Sequence, residues 1–121
     1  MSLIQIAFVL LAAGAAGGLS FVAMLALRVH YPSWFGIGHG LLGLVAVGVL
    51  AYALIQLGQA APPGSVPPRA WWALGVFVAA LLGGATLFRV LFPSRRPIPL
   101  ALAHGSLAAI GLYLLFPVAF P

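Results

Sequence analysis

Four long apolar stretches, joined by short connectors, most constrain the fold of this chain. They run roughly from Leu3 to Leu27, from Phe35 to Leu57, from Trp71 to Val90 and from Ile98 to Phe116. A helix needs about 20 predominantly apolar residues to cross a bilayer, and each stretch approaches or exceeds that length. Only 4% of the 121 residues are charged, against roughly 25% in soluble proteins. The sequence therefore predicts an all-α integral membrane protein with four transmembrane helices.

The first stretch is expected to be a permanent span. It lacks the basic segment that precedes the apolar region of a signal peptide, and its apolar run is longer than such a region. We therefore expect it to remain as the first helix of the bundle.

Two connectors carry the same short motif. RVHYPS occupies residues 28–33 and RVLFPS occupies residues 89–94, and a His-Gly dipeptide follows each, at His39 and at His104. Short connectors join antiparallel helices, so each motif is predicted to turn the chain within a helical hairpin. The repeat places the two histidines at corresponding points of the two hairpins.

The hairpins are predicted to cover residues 1–61 and 70–121, with a Pro/Gly-rich outer connector at residues 62–69. Both hairpins enter the membrane from the same side. We therefore expect a parallel repeat, with a pseudo-two-fold axis along the membrane normal.

Charge composition fixes the expected orientation and excludes several functions. All charged side chains are arginines, and there is no Asp, Glu or Cys. This excludes carboxylate acid–base pairs, calcium and magnesium cages and thiolate catalysis. Four arginines lie at the hairpin loops, and Arg69 lies on the other side. The positive-inside rule then predicts cytoplasmic hairpin loops and external termini, in a bacterial-type inner (plasma) membrane. The loop arginines are Arg28, Arg89, Arg95 and Arg96.

The two repeated histidines are the main candidates for function, because ionisable residues inside a membrane are costly. His39 lies five residues beyond Trp34, about 7–8 Å along a helix, and His104 lies seven residues beyond Pro97, about 10 Å. Small residues occupy positions i−3, i+4 and i+7 around each histidine, which share its helix face. These are Gly36, Gly43 and Ala46 around His39, and Ala101, Ala108 and Gly111 around His104.

Two interpretations of these faces remain open. Small residues let membrane helices pack closely, and each histidine would then simply bond a carbonyl or a lipid head group. Alternatively, the pair supplies both axial ligands of one haem b, the small residues leave room for the macrocycle, and the loop arginines pair with its propionates. His30, in the first loop, is expected to be interfacial.

The arrangement resembles the general plan of four-helix membrane b-type cytochromes, and the resemblance covers the four spans. Members of that group often hold two haems through four histidines. Because this chain offers two histidines at matched depth, the resemblance implies one haem per chain.

Three functions follow from these patterns. One is an electron-transfer subunit that exchanges electrons with a quinone or with a larger membrane redox complex. Another is a non-redox accessory subunit that packs against a respiratory or photosynthetic complex, or against copies of itself, in the lipid bilayer. A transporter or channel is the weakest candidate, since no polar residues line a path across the outer half. The sequence leaves enzyme activity open but favours an electron-transfer or accessory subunit over a stand-alone enzyme, and no nucleic-acid partner is expected.

The predicted topology can be tested by reporter fusions. Fusions at Ser33 and Ser94 should both report the cytoplasm, and a fusion at Ser65 should report the exterior. Opposite signals from Ser33 and Ser94 would contradict the two-hairpin topology, because an even number of spans separates them.

Overall fold

The protein is a bundle of four helices. The computed structural model describes residues 1–30, 32–86 and 98–121. Within them lie α1 (Leu3–Ala26), α2 (Ser33–Ala60), α3 (Pro68–Thr86) and α4 (Ile98–Ala119). Each helix is long and apolar enough to cross a membrane. The predicted all-helical fold with four such helices is confirmed, and it is consistent with a multi-pass membrane protein.

The helix bounds differ slightly from the predicted spans. Helix α2 begins two residues before Phe35 and ends three residues after Leu57, and α3 begins at Pro68, three residues before Trp71. Pro68 suits a first helical position because its missing N–H is not needed there. The predicted end of the third span, at Val90, lies outside the described residues.

Local interactions define both ends of α1. Ser2 caps its start, accepting a hydrogen bond from the backbone N–H of Gln5, while the Gln5 side chain accepts one from the backbone of Ser2. At the other end, the N–H of Val29 donates to the carbonyl of Met24 at 3.0 Å, and the N–H of Arg28 donates to Leu25 at 3.3 Å. This pair of hydrogen bonds forms a Schellman motif, in which glycine usually occupies the left-handed position.

The four helices pack in a ring, each against its neighbours in chain order, with α4 closing onto α1. Neighbours are antiparallel: Phe8 near the start of α1 meets Phe116 near the end of α4. Helices α2 and α4 therefore lie diagonally opposite one another across the bundle. The described core is apolar, with Leu50, Leu54 and Leu115 fully buried. Many large apolar side chains point outward instead, among them Trp72 with 71% of its surface exposed, as expected for helices that face lipid.

Arg28 occupies the left-handed position that ends α1, with φ of 58°. This conformation costs an L-residue about 1–2 kcal/mol. Arg28→Gly should therefore raise the free energy of unfolding in detergent by about 1 kcal/mol relative to Arg28→Ala. Both variants lose the same charge, so the difference isolates the backbone. Equal stability of the two variants would show that the left-handed turn is not formed.

Candidate histidine site

His39 and His104 meet between the two diagonal helices. Each lies six residues after the first residue of its helix, Ser33 of α2 and Ile98 of α4, which corresponds to a rise of about 9 Å. Their ring centroids are 6.0 Å apart and the ring planes are inclined by 73°. Both side chains are half-buried. The structure thus places the two histidines of the sequence repeat side by side, at the end of the bundle that holds the α1–α2 connection.

The ring of His104 is held by the neighbouring helix α3. Its Nδ1 lies 2.9 Å from the backbone carbonyl oxygen of Ala80. A carbonyl can only accept, so Nδ1 carries the proton in this bond, and a neutral ring then keeps an unprotonated Nε2. Metal-ligating histidines commonly donate their second nitrogen in this manner, which fixes the tautomer and the ring orientation.

Glycine makes this approach to α3 possible. A Cβ added to Gly84 would lie only 2.9 Å from Cε1 of His104. Gly84 is one helical turn after Ala80, on the same face of α3. The imidazole therefore lies directly over the backbone of α3, where only glycine leaves enough space for it to reach the carbonyl.

His39 has a matching glycine but no matching hydrogen bond. A Cβ added to Gly18 of α1 would lie 3.1 Å from Cε1 of His39. The Nδ1 atom of His39 would lie 3.9 Å from a Cβ added to either Gly17 or Gly18. This Nδ1 is buried, and no hydrogen-bond partner for it exists among the described residues. An unsatisfied buried polar group costs about 1–3 kcal/mol. The pair is therefore asymmetric. A hydrogen bond holds the ring of His104 to α3, whereas the buried Nδ1 of His39 has no hydrogen-bond partner in the described chain.

The predicted small-residue faces take different positions. A Cβ added to Gly43 would lie 3.5 Å from Leu81 of α3, whereas Gly36 is exposed and a Cβ added there would meet no atom of the described residues within 4 Å. On α4, Ala101 is buried and Ala108 is half-buried against the core. Ala46 is also fully buried.

An aromatic ring packs against Gly111, the last small residue of the α4 face. A Cβ added to Gly111 would lie 2.6 Å from Cζ of Phe77, so the α3 side chain fills the space that this glycine leaves. The α4 face serves close helix packing at Gly111, seven residues beyond His104.

Of the predicted propionate-binding arginines, the structure describes one. Arg28 is exposed at the end of α1, at the same end of the bundle as the histidines. Arg89, Arg95 and Arg96 lie outside the described residues. His30 is exposed in the α1–α2 connection, as expected for an interfacial residue.

Sequence reasoning missed the glycines that receive the imidazole rings. The chain has two Gly-Gly dipeptides, Gly17-Gly18 and Gly83-Gly84. Gly18 precedes His39 by 21 residues, and Gly84 precedes His104 by 20. Residues at equal distances on the two sides of a short loop lie at similar depth on antiparallel helices. The near-equal spacing could therefore have indicated that each histidine lies beside a Gly-Gly pair.

Comparison with protein-family models, with curated proteins and with solved structures finds no match for this chain. The geometry of the described residues is therefore the basis for a functional proposal.

The contact between His104 and α3 predicts different effects for two adjacent glycines. Alanine usually stabilises a helix by up to about 1 kcal/mol over glycine, and a Cβ at Gly83 would meet no atom within 4 Å in the part of the chain that the structure describes. At Gly84 the Cβ would displace the imidazole and break its hydrogen bond, at a cost of about 1–3 kcal/mol. Gly84→Ala should therefore lower the free energy of unfolding in detergent, and Gly83→Ala should leave it unchanged or higher. Equal effects of the two substitutions would show that His104 does not pack on Gly84.

Proposed function

We propose that this chain is a small membrane cytochrome of the b type, an electron-transfer protein with one haem b between His39 and His104. The observation that carries the proposal is the meeting of two imidazoles across the bundle at a centroid separation of 6.0 Å. Imidazole nitrogens bind metals at about 2 Å. If both imidazoles held one iron, two such bonds with the ring radii added would set the centroids about 6 Å apart.

The two rings also have the chemistry that axial ligation needs. The bond from His104 to Ala80 assigns the proton to Nδ1, so Nε2 carries the lone pair of the neutral imidazole. The orphaned Nδ1 of His39 shows that the described neighbours of that ring do not meet its hydrogen-bonding needs. Neutral imidazole is a ligand that iron in haem accepts.

The surroundings suit a large apolar cofactor with a charged edge. Gly43, Ala101 and Ala108 lie near the pair in sequence and add no bulk beyond a methyl group, and Gly36 adds none on its exposed face. The propionates would point to the nearer end of the bundle, toward Arg28. The sequence repeat predicts the same end for Arg89, Arg95 and Arg96, which lie outside the described residues. These arginines have no acidic side chain in the chain with which to pair, so an external carboxylate is a suitable partner.

Bound in this site, a haem supplies one-electron transfer. The chain's own contribution is to hold two imidazoles at fixed depth, to exclude water with apolar helices and to neutralise carboxylates with arginine. The absence of acidic residues argues against proton-coupled chemistry within the chain. A quinone or a larger membrane redox complex would then donate or accept the electron.

We also propose an arrangement of the two hairpins in the membrane. Two parallel hairpins related by a pseudo-two-fold axis would set the histidines at one depth. The arginine distribution supports cytoplasmic hairpin loops and external termini in a bacterial-type inner membrane.

One observation favours a second function, that of a non-redox accessory subunit. Gly36 and Gly40 form a Gly-x-x-x-Gly pair on α2, and a Cβ at either would meet no atom of the described residues within 4 Å. Such pairs commonly receive another membrane helix. A helix of a larger complex, or of a second copy, would find room on this face without any cofactor.

Histidine substitutions distinguish the two functions. His39→Ala and His104→Ala should each abolish six-coordinate haem binding, because one imidazole cannot fill both axial positions. The absorption spectrum of the protein purified from haem-replete cells measures this directly. Gly43→Leu and Ala108→Leu should also lower the haem content by adding bulk beside the ligands.

His30→Ala is the matched control, because His30 is exposed outside the helices, and its spectrum should remain that of the wild type. If the wild-type protein folds but shows no haem absorbance, the cytochrome proposal fails and the accessory function stands. Equal spectra for all three histidine variants would show that any bound haem lies elsewhere.

A further inference from the structure

A groove at the opposite end of the bundle combines one arginine with an aromatic wall. It is open to the outside, has a volume of about 480 Å³ and lies between the start of α1, the start of α3 and the end of α4. Its lining consists of Phe8, Arg69, Leu112, Tyr113, Phe116 and Pro117. The histidine site plays no part in it, so an occupant of the groove would be separate from the proposed haem.

Arg69 brings a positive charge to the groove. Arg69 is the second residue of α3 and is exposed. The first turn of a helix adds partial positive charge from its free N–H groups. The chain has no Asp or Glu anywhere, so no side chain of its own can neutralise this end. A phosphate suits the guanidinium, which binds such groups through paired hydrogen bonds.

The rest of the groove is apolar and extends away from the arginine. Phe8 packs edge-on against Phe116, with ring centroids 5.9 Å apart, and this pair forms a fixed wall. Leu112 lies five residues before Pro117, about 7–8 Å further from this end of α4. A ligand here would meet charge at the end of the bundle and hydrocarbon deeper along it, which is the polarity of a membrane lipid.

Pro117 leaves one backbone carbonyl of α4 without its usual helical hydrogen-bond donor. It lies inside α4 and has no N–H, so the carbonyl of Tyr113, four residues earlier, lacks its helical donor. Both residues line the groove. A carbonyl without its usual donor favours a ligand that carries hydroxyl groups beside its phosphate.

We propose that this groove binds an anionic phospholipid with a hydroxylated head group, of the phosphatidylglycerol type. The phosphate pairs with Arg69, a glycerol hydroxyl donates to the carbonyl of Tyr113, and an acyl chain lies along Leu112 and Phe116.

Native mass spectrometry of protein released from mixed bilayers tests this assignment. With equal phosphatidylglycerol and phosphatidylcholine, the wild-type chain should retain phosphatidylglycerol with a preference of about tenfold, the effect of one charge-assisted contact. Arg69→Gln should abolish the preference, and Arg69→Lys should keep part of it because the positive charge remains. Pro117→Ala should reduce the preference for phosphatidylglycerol over phosphatidic acid, whose head group lacks the glycerol.

Arg28→Gln is the control, because Arg28 is exposed at the other end of the bundle. It removes the same charge and should leave the preference intact. An equal loss in Arg28→Gln and Arg69→Gln would overturn the proposal in favour of general charge attraction. Displacement of the lipid by soluble glycerol phosphate would also overturn it, because the acyl chain would then contribute nothing.

Discussion

Close van der Waals packing through alanine and glycine is the interaction on which this bundle depends. In lipid, helices gain little by hiding apolar surface from one another, so small residues that let backbones approach become the main source of association. Eight of the fifteen buried apolar residues in the described chain are alanines. They are Ala7, Ala46, Ala53, Ala70, Ala73, Ala80, Ala101 and Ala119. The same closeness brings imidazole rings onto helix backbones at Gly18 and Gly84.

The histidine site follows from this packing. Because α2 and α4 lie diagonally across the bundle, their side chains meet only in its middle. Large side chains fit there only where the neighbouring helices carry small residues. Gly84 lets His104 reach the Ala80 carbonyl at 2.9 Å. On the other side, Gly18 admits the ring of His39, whose buried Nδ1 has no partner in the described chain. The unsatisfied Nδ1 of His39 lowers the stability of the apolar bundle, and ionisable residues inside membrane helices are candidates for function.

Much of the fold could be predicted because hydrophobic length is a property of contiguous sequence. The four helices begin and end within a few residues of the apolar stretches wherever the chain is described. The pairing of His39 with His104 also followed from local information, since the repeated motif set both at similar depth. Their glycine partners were not identified, because Gly18 and Gly84 lie on the preceding helices. Contacts between helices depend on how each helix is rotated about its own axis. When all faces of a helix are apolar, hydrophobicity does not show which face is turned toward the bundle. For the same reason, Gly36 lies exposed although it shares the small-residue pattern with buried Ala46.

The account rests on two imidazoles sharing one iron, and electron paramagnetic resonance of the oxidised, purified chain measures that most directly. Ligation by His39 and His104 predicts a low-spin ferric haem signal with two nitrogen ligands and about one spin per chain. The inclination of the rings by 73° further predicts a signal typical of nearly perpendicular imidazole planes. A folded preparation that gives only a high-spin haem signal, or none, would contradict the account.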